Sequence, residues 1–227
     1  MAKTFFSTRS GGVSKGVFES FNLAQHVGDL QSDVQANREI LAERIGIPLS
    51  RIFYMNQVHG NSVYEVTEES DFENPPEADA LFTKRKDCAL VTLIADCTPL
   101  LLSSKAAIAA VHVGRKGLVA GIFEETLKKF ISNGITPKEI EAEIGPAICG
   151  KCYELDLATY EEVVAAIPEA SFDSAKRCVD VTAGLAAKLR KEGISYKASA
   201  FCVQHQPGYF SYRRDGITGR QAGVIWQ

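Results

Sequence analysis

Residues 88–117 read CALVTLIADCTPLLLSSKAAIAAVHVGRKG, and the fold is decided by how this stretch is interpreted. It holds three apolar segments, 89–95, 99–102 and 107–113, with Ser103, Ser104 and Lys105 as a turn between the second and third. Runs this short and this apolar suit strands buried on both faces, although periodicity alone does not separate them from buried helix. Cys97 stands where the first segment stops, and His112 falls near the end of the third. Upstream, His59 in Asn56-Gln57-Val58-His59-Gly60 closes another strand-like run, 52–55. Two imidazoles and one thiolate at three strand ends suit zinc, with a fourth position left open. Taken singly, each residue has a plainer reading. A free cysteine in an apolar run is usually a small buried hydrophobe, and the interval from Cys97 to His112 is not that of a zinc finger.

Working outward, 227 residues fit one domain, expected over 1–227. The chain is 45% hydrophobic and 23% charged, ordinary for a soluble globular protein. A net charge of −3 gives no basic excess to hold a nucleic-acid backbone, so that partner class is not expected. No run reaches bilayer-spanning length, and the first residues lack the pattern of a secretory signal. The expected setting is cytoplasmic, with six reduced cysteines rather than three disulfides.

The flanking sequence alternates strands and helices. Strands are expected at 3–8, 62–67, 81–83, 140–144 and 194–199, and helices at 32–46, 117–133, 156–167 and 180–191. Ser32 with Gln35 has the spacing of a capping box, and Gly46 suits a C-terminal stop. The 117–133 helix follows His112 closely. Its N-terminal N–H groups at Gly117, with Arg115 and Lys116, make a natural anion site. Cys149 and Cys152 form a C-x-x-C that reads as a redox pair, half a zinc site or simply a loop with two thiols, the last favoured. His205 reads as a surface residue. Tyr212, Arg213, Arg214, Asp215 and Arg220 suggest an ion-paired turn in the tail.

Five blocks, NQVHG, IADCTPLLL with AAVHVGRKGL, the opening FFSTRSGGVSKGVFESFNLAQHVGD, IGPAICGKCYEL and the closing FSYRRDGITGRQAGVI, resemble the laccase-domain, or multicopper polyphenol oxidase, family in the right order. That family is also called YfiH-like, purine nucleoside phosphorylase or peptidoglycan editing factor. The resemblance implies a mixed α/β fold with a layered β-sheet core flanked by helices, related to cysteine hydrolases. It implies metal ligation and catalysis by His59, Cys97 and His112, with zinc as the metal and copper as a substitute in vitro. Asp79 matches the family's Ala-Asp-Ala element and is a candidate partner for a metal-bound histidine. Arg38 matches an Asn-Arg pair of the family and, with Arg115, Lys116 and Gly117, is a candidate substrate contact. Arg115 and Lys116 stand where the family usually has Trp-Arg, and lysine does not reproduce a bidentate arginine grip.

The implied partners are a purine nucleoside and phosphate. The implied reactions are phosphorolysis of adenosine, inosine, guanosine and methylthioadenosine, plus adenosine deamination, for which zinc would make a water acidic enough to attack the ring. Two other enzymes compete with this reading. In one, a thiol or zinc amidase edits peptidoglycan precursors, with Cys97 as a nucleophile activated by His112. In the other, the copper oxidase name is literal, although four histidines are too few for a blue-copper site and a trinuclear cluster together. A non-catalytic zinc-stabilised binding protein is the third competitor. The oligomeric state is left open.

Overall fold

The structure is a computed structural model and describes residues 2–227. In chain order the elements begin with β1 (Lys3–Phe6), α1 (Gln31–Ile45), β2 (Ile52–Phe53), β3 (Val63–Glu65) and β4 (Ala80–Thr83). The decisive stretch follows as β5 (Ala89–Ile94), β6 (Thr98–Ser103) and β7 (Ile108–Val113). Then come α2 (Arg115–Ala120), α3 (Ile122–Ser132), β8 (Glu141–Ile144), α4 (Leu157–Ala166) and the small hairpin β9 (Ser171–Asp173) and β10 (Cys178–Val179). The chain closes with α5 (Val181–Lys191), β11 (Ser195–Ala198), the single turn α6 (Tyr212–Asp215) and β12 (Gln221–Trp226).

Two sheets form the centre, a four-stranded one in the order β1-β12-β5-β2 and a six-stranded one in the order β11-β8-β6-β7-β4-β3. Strand alternation sorts their side chains into layers. On β5, Ala89, Val91 and Leu93 join the cluster with Phe21 and Leu41 beneath α1, while Leu90 turns to the other cluster between the sheets. On β6, Leu100 and Leu102 face the cluster of Phe123, Phe130 and Leu185 from the helices, while Leu101 faces between the sheets. The layers therefore run α1, four-stranded sheet, six-stranded sheet, α2 to α5. Because both faces of β5 to β7 are covered, all of their side chains except Ser103 are buried. A Leu101→Ala cavity between the sheets would cost about 2–5 kcal/mol. On β7, Ile108 and Ala110 also lie between the sheets. The same parity carries His112 to that face, at the end of the strand where the sheets open.

Several local expectations are corrected. The helix expected over 117–133 is two helices, because Gly121 adopts a left-handed φ of 85° that ends α2 and begins α3. The Ser32–Gln35 capping box does not form. The N-cap is Leu30, with no side-chain bond, and Ser32 Oγ turns to Asp33. Leu157, expected inward, is exposed in the first turn of α4, where Asp156 caps the helix by accepting from Thr159 N–H. The tail is more than a turn: β12 is an inner strand, antiparallel to both β1 and β5.

Candidate functional site

The NQVHG segment is shaped by the side chains of Asn56, Gln57 and Asp79. Asn56 Nδ2 donates to Pro75 O at 2.9 Å. The Gln57 amide imitates a strand, donating to Leu93 O at 2.8 Å and accepting from Leu93 N–H at 2.7 Å. The buried Asp79 carboxylate accepts from the backbone N–H of His59 at 3.0 Å and of Gly60 at 2.6 Å. These contacts hold His59 at a φ of 61°, a left-handed conformation uncommon for a non-glycine residue. A further contact of Asp79 reaches the neighbouring strand: Oδ1 lies 2.8 Å from His112 Nδ1. One carboxylate thus fixes the His59 backbone and the His112 imidazole, and it leaves His112 Nε2 free for another partner. Burial alone would raise the Asp79 carboxyl, but His112 and the N–H groups of Gly60 and His59 hold it below the usual carboxylate range.

Cys97 completes the group, its Sγ 3.9 Å from His59 Nε2. The two imidazole rings meet edge to face with centroids 4.8 Å apart. The donor atoms of His59, Cys97 and His112 all lie within 4.8 Å of one another. Burial would push the Cys97 thiol up, yet His112 and His59 beside it bring it down to about 6. Burial likewise lowers His112, but the Cys97 thiolate and Asp79 raise it to about 9. The three strand ends expected to converge do so. Two nitrogens and a sulfur, backed by a carboxylate, fit a borderline or soft dication and can hold it from three sides. Gly114 is part of this cradle. A Cβ there would sit 2.9 Å from His59 Cδ2 and 3.3 Å from Cys97 Sγ.

The trio lies at the wall of a cavity of about 610 Å³. Asp96, Arg115, Arg213 and Arg220 supply its charge, and Ile94, Ile148, Tyr153 and Val181 supply apolar surface. Asp96 holds a φ of 100° and spends both oxygens on α6, accepting from Ser211 Oγ at 2.6 Å and from Arg213 N–H at 2.7 Å. Burial raises its carboxyl despite these bonds. The Arg213 guanidinium stacks over Tyr153, 5.2 Å from the ring centroid. Arg115 is 3.6 Å from Glu162. Arg220 Nη1 donates to Thr218 O and Gly219 O, and burial lowers its pKa while Cys97 and Asp96 raise it.

Of the four expected substrate contacts, only Arg115 lines this cavity. Lys116 is exposed, and Gly117 is buried inside α2 against Gly60 O. The six-residue α2 is too short to provide the expected helix-terminal anion site. Arg38 lies in an adjoining smaller pocket, stacked over Tyr54 at 3.8 Å and donating to Leu23 O. Arg213 and Arg220 line the cavity as well. Their signal in sequence was the arginine-rich tail, which resolves into two kinds of residue. Arg214 is a loop clamp, donating to Val203 O, Gln204 O, Gln206 O and Tyr209 O and pairing with Asp215.

The family model described as "multi-copper polyphenol oxidoreductase laccase" matches residues 3–227. The chain belongs to that family. A Streptomyces griseus protein named purine nucleoside phosphorylase is 41% identical, over 97% of this chain and 92% of that one. A Haemophilus influenzae protein of the same name is 34% identical, over 98% of this chain and 93% of its own length. The crystal structure of YlmD from Geobacillus stearothermophilus superposes with a TM-score of 0.92 at 30% identity, covering all of this chain and 92% of the other. Family membership makes this an enzyme with a candidate metal centre. Among the described residues no helix is long and apolar enough to cross a membrane.

Proposed function

We propose that this protein is a cytoplasmic, zinc-dependent purine nucleoside phosphorylase, built as one domain over 1–227, acting on adenosine, inosine, guanosine and methylthioadenosine. The observation that carries the reading is the pairing in one cavity of the His59–Cys97–His112 trio with three guanidinium groups. Full-length relatives bearing the phosphorylase name support it. His59, Cys97 and His112 would hold the zinc, which when bound supplies Lewis acidity to a substrate or water oxygen.

The chain's own residues account for the rest. Phosphate needs a cationic grip, and guanidinium forks match its oxygens. Arg115, Arg213 and Arg220 fill that role. Ile148 and Tyr153 offer apolar and aromatic surface to the purine ring. In phosphorolysis a phosphate oxygen bonds to the anomeric carbon, and the purine departs with the electron pair of the glycosidic bond. Positive charge builds on the ribose meanwhile, and the Asp96 carboxylate favours it there. Adenosine deamination is proposed as a second activity of the same cavity.

One observation favours a second reading. A Cys97 thiol brought down to about 6 beside His112 has the character of a nucleophile, as an amidase editing peptidoglycan precursors would need. Anaerobically purified protein assayed on a nucleoside panel separates the two. Phosphorolysis predicts free base and ribose 1-phosphate only when phosphate is present, abolished by chelation and by Cys97→Ser. Base release indifferent to phosphate, or turnover that survives chelation, sinks the zinc phosphorylase. Ammonia release from adenosine reports the deaminase.

A further inference from the structure

A second group of metal-ligating side chains lies outside the trio. Cys149, Cys152, Cys202 and His205 bring four donor atoms within 4.8 Å of one another. Topology explains the meeting. β8 and β11 are parallel neighbours, with Ile144 opposite Ala198, so the loops leaving them depart side by side. An isolated parallel bridge between Ala147 and Cys202 continues the pairing, and Val203 N–H donates to Ala147 O at 3.1 Å. Each loop then makes the same turn. Cys152 N–H donates to Cys149 O at 3.0 Å, and His205 N–H donates to Cys202 O at 3.1 Å. The sequence is therefore a Cys-x-x-Cys turn facing a Cys-x-x-His turn.

We propose that these four residues form a second, structural zinc site. Two thiolates bound at about 2.3 Å to one tetrahedral zinc stand roughly 3.8 Å apart. Cys149 Sγ and Cys152 Sγ are 3.7 Å apart, a tetrahedral edge rather than the ~2.05 Å of a disulfide. His205 Nε2 approaches Cys152 Sγ at 3.0 Å, so the imidazole points into the group from its exposed side. Cys149 N–H donates to Cys202 Sγ at 3.3 Å, the kind of bond that stabilises a metal-bound thiolate. Three thiolates and one imidazole close the coordination shell and leave no position for water, as a structural site requires. The site would brace the cavity wall, because Ile148 and Tyr153, immediately before and after the Cys-x-x-Cys turn, both line the cavity. Gly150 suits this turn, since a Cβ there would lie 2.5 Å from the Phe172 ring.

The test is elemental analysis of the full chain purified without oxygen. About two zinc ions per chain are expected, falling to one in Cys202→Ser and to one in Cys97→Ser. Cobalt loaded into Cys97→Ser should give the visible bands of a tetrahedral thiolate-rich site, shifted in the further variant His205→Gln if Cys202→Ser does not fold. A single zinc that Cys97→Ser removes would overturn the proposal, as would a Cys149–Cys152 disulfide in the protein so purified. A single zinc that Cys202→Ser removes would support this site and instead sink the zinc of the phosphorylase reading.

Discussion

At His59, Cys97 and His112 one thiol meets two imidazoles backed by a buried carboxylate. At Cys149, Cys152, Cys202 and His205 three thiols meet one imidazole. The difference sets their charge before any ligand arrives. In the first group the imidazoles draw the thiol down to about 6, and His112 rises to about 9 in return. In the second, burial and the neighbouring Cys149 and Cys202 push the Cys152 thiol up to about 12. The first group is a preformed ion pair, whereas in the second, despite burial, the N–H donors around Cys202 bring that thiol down and Cys152 is left protonated until a dication displaces its proton. A centre meant to act on a substrate is held charged and oriented by its surroundings. The second group is brought together by the β8–β11 pairing and its two turns instead.

The largest effect that would break this contrast comes from Asp79. Asp79→Asn keeps the shape but removes the negative charge shared by His59 N–H, Gly60 N–H and His112 Nδ1. Metal affinity at the trio, or phosphorolysis, should fall about 10–100-fold, while the zinc of the second group stays. Loss of both metals in this variant would mean that the two groups are not independent. A smaller effect sharpens the electrostatics. In metal-free protein, alkylation of Cys97 follows its thiolate, present above about pH 6 and lost as pH falls through that value, against roughly 8.5 for an ordinary thiol. At neutral pH, mass mapping should find Cys97 labelled before Cys152. The reverse order would contradict the ion pair. The smallest effect is expected at Lys116, where Lys116→Ala should leave activity and stability within about 0.5 kcal/mol, whereas Arg115→Ala should raise the KM for phosphate. Equal phosphate defects in the two would restore Lys116 to the cavity.

Residues 88–117 were legible because strands covered on both faces leave little room for polar side chains, and β5 to β7 fall where the apolar runs place them. His59, Cys97 and His112 were legible as ends of such runs, reinforced by the family resemblance. The substrate side was less so. Whether Arg115 or Lys116 enters the cavity depends on the phase of a short helix, and Gly121 sets where that helix stops. Arg213 and Arg220 look alike with Arg214 in the tail, yet Arg214 spends its guanidinium on four carbonyls of the preceding loop. The second cysteine group shows the same limit more sharply. Each half-motif is visible locally, but their meeting follows from β8 and β11 lying parallel and in register, and no local pattern records that pairing.

The place of β12 bears on how the molecule comes into being. Among the described strands this one lies between β1 and β5 yet is made after all the others, and Arg220 immediately precedes it. Until that segment emerges, β1 has no neighbour to pair with and the cavity lacks one of its cations. A prematurely terminated polypeptide would therefore be an open sheet for proteases to clear, not a partly working catalyst.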